Sequence, residues 1–181
     1  MTRSNAREIA VHFVFELGFS SQSADELLSA ALTRPAFAQI GQEEPLYAEF
    51  PNAGQREYIE KLVGGVYGHS AELDSYITKY AIGWNFARIP RVVVAILRVC
   101  MYEILYMQDI PNAAAINEAV ELTKHYEEPE LSAFANGILG TFVRNEHIPD
   151  PVGRPAAPAE APEMPDSPDG AGAPEGAEDG E

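Results

Sequence analysis

Cysteine is close to absent from this chain. Its one cysteine, Cys100, excludes an internal disulfide framework and any metal site built from several thiolates. Lying inside the apolar run "VVVAILRVCMYEILYM", it reads as an inert core thiol. Long hydrophobic runs are also missing. The most apolar stretch, Val92 to Met107, is 16 residues long and contains Arg98 and Glu103, too short and too charged to span a membrane. Glu8, His12 and Glu16 interrupt any apolar stretch at the N-terminus, so no signal peptide is expected and the chain reads as cytoplasmic. Enzyme signatures are lacking too. "VGGVYG" has neither the spacing nor the preceding strand of a phosphate-binding loop. His12, His69, His125 and His147 are scattered, without an HExxH pairing, so neither a metal nor a cofactor is expected.

Basic residues are few. The 181 residues hold 12 Lys+Arg against 28 Asp+Glu, a formal net charge of −16. Residues 1–148 carry 19 acids and 11 bases, a net −8, and residues 149–181 carry 9 acids and only Arg154, again −8. Half of the excess therefore sits in a 33-residue end segment that also holds 8 of the 14 prolines and no aromatic residue. Such a composition cannot bury enough apolar surface to offset the entropy of ordering. The expected organisation is a folded domain over 1–148 and a disordered acidic tail over 149–181. The tail either solvates without a specific partner or has an autoinhibitory or partner-binding role, since an acidic strand can occupy a basic surface that would otherwise hold RNA.

The ordered part reads as all-helical. Asn5 with Glu8 and Ser23 with Glu26 have capping-box spacing for two first helices. Residues 33–52, with Pro35, Pro45 and Pro51, read mainly as loop. From Ala53 to Tyr80 the pattern predicts a helix weakened by Gly64, Gly65 and Gly68, which signal either a close helix approach or a kink. Pro90 suits the first turn of the next helix, Pro90 to Gln108, which is apolar nearly all round and so central. "AAINEAVELTKHY" and the stretch through Leu131, Phe134, Ile138 and Phe142 make the last two helices. Arg98 and Glu103 need partners inside the core, and Glu118 or Glu121 is the expected partner of Arg98. On the first helix Ile9, Ala10, Phe13, Val14 and Leu17 form the buried stripe. Arg7, Val11 and Phe15 form a ridge on its margin. That ridge either holds a phosphate and stacks a base or amounts to an ion pair and a core phenylalanine.

"INEAVELTKHY" followed by "FANGIL" closely resembles the signature of the NusB family, whose members end in an INEAVELAK-like and a FVNGVL-like helix. "AILRVCMYEI", "IPNAAAINEA" and "NAREIAVHFVFEL" are similar to further family segments in the same order, so the resemblance spans nearly all of residues 3 to 145. It implies about seven helices in two packed three-helix-bundle-like halves. It also implies a non-enzymatic role in transcription antitermination. Family members pair with the ribosomal protein NusE, bind the boxA element of nascent ribosomal RNA leaders, and join elongating RNA polymerase.

Carried over residue by residue, the resemblance implies RNA contacts at Arg7, with Arg3 supplementing it, at His12 and Phe15 where the family has Gln and Tyr, and at Glu130, Phe134 and Tyr80. The chain departs from the family in three places. Its arginine-rich start is thinned to "TRSNAR", which lowers the expected salt slope of RNA binding. Val92, Val93 and Val94 replace charged residues before "AILR" and mark a NusE surface, a self-association face or a deeper core. The acidic tail is extra. The alternative function keeps the fold without RNA, as a protein-interaction module or homodimer using the valine face. An RNA methyltransferase reading has no catalytic domain to support it.

Overall fold

The computed structural model describes residues 1–107 and 109–151. The expectation of disorder in the acidic tail falls, from residue 152 on, outside the described residues. Eight α-helices follow one another: α1 (Arg3–Leu17), α2 (Ala24–Ala31), α3 (Arg34–Ile40), α4 (Ala53–Gly68), α5 (Ser70–Tyr80), α6 (Arg91–Tyr106), α7 (Asn112–Tyr126) and α8 (Pro129–Asn145). Short 3-10 turns occupy Pro45–Tyr47 and Phe86–Arg88. No strand occurs among the described residues, as the all-α reading expects, and no helix there is long and apolar enough to cross a membrane.

The helix count exceeds the expected seven for local reasons. Thr33 caps α3 by accepting from the Ala36 amide, and Pro35 fits its first turn, so part of the proline-rich 33–52 stretch is helical. The single helix expected over 53–80 breaks at His69, whose φ of −107° and ψ of 13° leave the helical region. At the start of α1 the capping side chain is Thr2, which accepts from the Asn5 amide, rather than Asn5 with Glu8. The Ser23–Glu26 capping box forms as expected. Pro90 stands one residue before α6, as its N-cap.

Helix α6 is the centre. It packs against α1, α4, α5, α7 and α8, and every residue from Val93 to Ile104 is buried except half-buried Arg98. One group of helices, α1, α2 and α4, and another, α5, α7 and α8, thus share one apolar axis. This placement decides for the deeper core at two of the three valines, so Val93 and Val94 leave the expected partner surface, and it corrects the expected partner of Arg98. Val93 and Val94 are core residues, and only Val92 is half-exposed, because neighbouring helices surround α6. Arg98 does not pair with Glu118 or Glu121. Its Nε and Nη2 donate to the two carboxylate oxygens of Asp74, each at 2.7 Å, and clamp α6 to α5. Glu118 goes to Arg7 and Glu121 to Lys124.

The glycines of α4 divide in their roles. A Cβ on Gly65 would overlap the Tyr102 ring of α6, whereas one on Gly64 would meet nothing within 4 Å. Close approach therefore explains Gly65 alone. Gly65→Ala is expected to lose about 1–3 kcal/mol through overpacking, and Gly64→Ala to gain up to about 1 kcal/mol through helix propensity. Paired urea unfolding curves check the opposite signs.

Candidate functional site

Arg7 lies on α1 where that helix crosses α6, and it is 5% exposed. Its Nε donates to both oxygens of Glu103, at 2.9 and 3.2 Å, and its Nη2 donates to Glu103 Oε1 at 3.0 Å. Its Nη1 donates to Glu118 Oε2 at 2.9 Å. The Tyr58 hydroxyl donates to the same Glu103, which is wholly buried. Burial opposes charge on Arg7, but the hydrogen bonds and charge of Glu103 outweigh it and raise the guanidinium pKa. Burial and the Glu103 carboxylate both hold the Tyr58 phenol protonated. The expected phosphate contact at Arg7 is thus corrected: the guanidinium is committed to two carboxylates inside the fold. The ridge it was to share also dissolves, since Val11 is wholly buried and only Phe15 emerges, 38% exposed.

Arg3, one turn earlier, is exposed. Its Nη2 donates to Asp109 Oδ2 at 2.9 Å and its guanidinium lies 4.9 Å from the centre of the Tyr58 ring. It lines an open cleft of about 420 Å³ with Gln55, Glu57, Tyr58, Lys61 and Asp109. Elsewhere on the surface, Arg34 of α3 and Arg56 of α4 stack on Phe50, at 4.9 and 5.8 Å from its ring centre. Among the described residues, Arg34, Arg56 and Lys61 make no ion pair. Two separate pairs of exposed cations thus stand on a domain whose net charge is negative, Arg3 with Lys61 in the cleft and Arg34 with Arg56 about Phe50.

His12 and Phe15 meet further along α1. A groove of about 660 Å³ runs past His12, Phe15, Phe19, Ile40, Tyr47 and Val92. Phe15 and Phe19 pack 5.0 Å apart, and Arg91 caps Phe19 at 4.6 Å. The His12 tautomer follows from the donors around it. Tyr126 donates its one hydroxyl proton to Glu8 Oε1 at 2.6 Å, so it accepts from His12 Nε2–H at 2.7 Å. Nδ1 is then the acceptor for the Tyr47 hydroxyl at 2.9 Å. Burial lowers the His12 pKa and keeps this neutral chain in place. His12 orients the groove floor; both of its ring nitrogens already have partners.

The remaining expected contacts lie on the other helix group. Phe134 is wholly buried and packs 4.6 Å from Trp84, so its expected place at an RNA edge is corrected to the core. Tyr80 is 5% exposed, and its hydroxyl donates to Glu146. Burial and that carboxylate raise its pKa. Glu130 is exposed in the first turn of α8. Sequence reasoning missed Lys61, Arg34 and Arg56, which carry no motif, and Tyr47, which sits in the stretch read as loop.

The sequence profile of the NusB family matches residues 4–144. The transcription antitermination protein NusB of Acetivibrio thermocellus is 38% identical over 144 residues, covering 80% of this chain and 90% of that protein. The protein of the same name from Agathobacter rectalis is 38% identical over 146 residues, 78% of this chain and 99% of that one. Among solved structures, T. maritima NusB superposes with a TM-score of 0.61 at 23% identity, over 82% of this chain and 94% of its own. That likeness extends to the fold. With the profile spanning residues 4–144, from the first turn of α1 into the last turn of α8, and relatives matched over nearly their whole length, the chain belongs to the NusB family.

Proposed function

We propose that this chain acts in transcription antitermination as an RNA-binding adaptor. With ribosomal protein NusE it binds a boxA-like single-stranded leader RNA, joins the RNA polymerase antitermination complex in the cytoplasm, and supports elongation of ribosomal RNA transcripts. The observation that carries the RNA contact is the exposed pair Arg3 and Lys61, with Lys61 in no ion pair among the described residues, supplemented by Arg34 and Arg56 about Phe50. Cations free of internal ion pairs can take phosphates without first giving up a partner, and released counterions drive that exchange. Exposed Phe15 supplies a face on which a base can stack. Arg7 acts at one remove, by fixing α1 against α6. Glu130 accepts from base amino groups rather than contacting phosphate.

Fluorescence anisotropy of a boxA-like RNA, with and without NusE and at several salt concentrations, tests this reading. Tight binding that needs both proteins and weakens with salt is the expected result. The double variant Arg3→Ala/Lys61→Ala should bind more weakly and reduce the magnitude of the salt slope by about 2, roughly 1 for each phosphate no longer neutralised. An unchanged slope sinks phosphate contact at this pair.

A second reading, a protein-interaction module or homodimer without RNA contact, draws on the groove. Phe15, Phe19 and Ile40 are exposed there beside half-exposed Val92, and Glu16 and Glu44 stand around them. Carboxylates at that rim suit a protein partner better than a phosphate chain. A stable complex with NusE that binds no RNA at any salt favours this second reading.

A further inference from the structure

The cleft shared by Arg3 and Lys61 holds carboxylates beside its cations, Glu57 and Asp109. Such a mixture is matched by the edge of a nucleobase, which sets donors and acceptors side by side. Asp109 answers to both cations. Its Oδ2 accepts from Arg3 Nη2 at 2.9 Å, and its side chain remains 65% exposed. That hydrogen bond chiefly holds its carboxyl below the usual carboxylate range; burial opposes it, and the charges of Arg3 and Lys61 add to it. Other polar groups of the cleft are taken. Gln55 Oε1 accepts from the Asn52 amide at 2.9 Å, and its Nε2 donates to the Met1 carbonyl. The Tyr58 hydroxyl donates to Glu103. The Tyr58 ring instead backs Arg3, whose guanidinium lies 4.9 Å from the ring centre while half of the side chain stays exposed. At about 420 Å³ the cleft lies in the range that holds a small ligand.

We infer that this cleft selects a guanine base, with the Watson–Crick edge on Asp109 and Lys61 and the ring plane on Arg3. The inference rests on the RNA-binding reading and names the base that its site takes. Edge chemistry decides the choice. Guanine presents one acceptor, O6, followed by two donors, N1–H and N2–H. A carboxylate near an ammonium offers the matching order: Asp109 accepts from N1–H and N2–H, and Lys61 donates to O6. Adenine would turn its N1 acceptor toward the carboxylate. Uracil would set its O2 there, and cytosine has a single amino donor beside two acceptors. Each therefore leaves a lone pair facing a negative oxygen. The Arg3 guanidinium, backed by Tyr58, supplies a flat cation on which a base can stack. Lys61 carries three donors, so it can hold O6 and an adjoining phosphate together. Glu57 balances the second cation, so the cleft takes a base without drawing in a run of phosphates.

Two measurements on the full chain test this. In the first, guanosine, adenosine, cytidine and uridine 5′-monophosphates are titrated separately while backbone amide spectra are recorded. Guanosine monophosphate is expected to move the amides of Arg3, Tyr58, Lys61 and Asp109, and the other three nucleotides to move them far less. Equal shifts from all four, or shifts centred away from the cleft, would overturn the selection. In the second, anisotropy with NusE present compares oligouridine strands carrying one central guanosine, inosine or adenosine. Inosine lacks the N2 amine and should bind about tenfold more weakly than guanosine. Asp109→Asn should lose that difference and bind the guanosine strand about as weakly as the inosine one. Discrimination that survives in Asp109→Asn would remove Asp109 from the edge, and equal affinity for the three strands would sink the inference while leaving the RNA reading intact. If no strand binds at any salt, the RNA reading fails, and the nucleotide titration alone decides whether the cleft selects guanine.

Discussion

Replacing Arg7 with alanine should lower the unfolding free energy by about 3–5 kcal/mol, because it strands the wholly buried Glu103 with Tyr58 as its one remaining hydrogen-bond donor. The cost comes from the charge left behind more than from the bond removed. A double-mutant cycle makes the distinction measurable. Arg7→Met combined with Glu103→Leu should recover much of the deficit, giving a coupling on the order of 2 kcal/mol or more between positions 96 apart in sequence. In urea, the midpoint should fall while the slope stays constant. The consequence for function is direct. Weak RNA binding by Arg7→Ala would reflect a smaller folded fraction, so Arg3 and Lys61 are the residues that report on phosphate contact. A drop in RNA affinity in Arg7→Ala at unchanged stability would reverse this assignment and return Arg7 to the RNA.

Phe134→Ala should cost a similar amount, about 3–5 kcal/mol, for a different reason. The ring is wholly buried at the junction of α8 with the turn that carries Trp84, so its removal leaves a cavity that the surrounding helices fill only in part. Trp84 is the chain's one tryptophan, so its fluorescence reports on this junction alone. The emission should shift to the red in the variant, and thermal unfolding should begin earlier. RNA affinity per folded molecule should stay the same when measured well below the new transition. If stability holds and RNA affinity falls, Phe134 belongs to a binding edge after all. The two variants thus separate residues that support the site from residues that form it.

Much of the architecture was legible because helices announce themselves locally. Ser23 and Glu26 lie three apart and close their own capping box. The apolar run from Val93 to Ile104 could only be a central helix, and it packs against five others. The repeated stripes on α1 and α8 marked their buried faces correctly, down to Ile9, Phe13, Ile138 and Phe142. Family segments in the right order added what periodicity lacks, a place for each helix in a known arrangement.

Partners across the fold were not legible. Periodicity tells which face of a helix is buried, but not which helix covers it. Arg98 therefore found Asp74 on α5 rather than a glutamate of α7, and Glu103 found Arg7. The same limit governs exposure at a stripe's margin. Arg7 and Phe15 sit two turns apart on one ridge, yet α6 and α7 close over Arg7 while Phe15 remains 38% exposed. The two pairs of exposed cations are purely tertiary. Arg3, Arg34, Arg56 and Lys61 come from three helices, and no spacing along the chain relates them. Helices, their caps and their buried faces could be read along the chain, since they depend on residues within a few turns of one another. Which charges neutralise one another and which stay free was settled by packing, because a low-dielectric interior forces pairing only between groups that folding brings within reach.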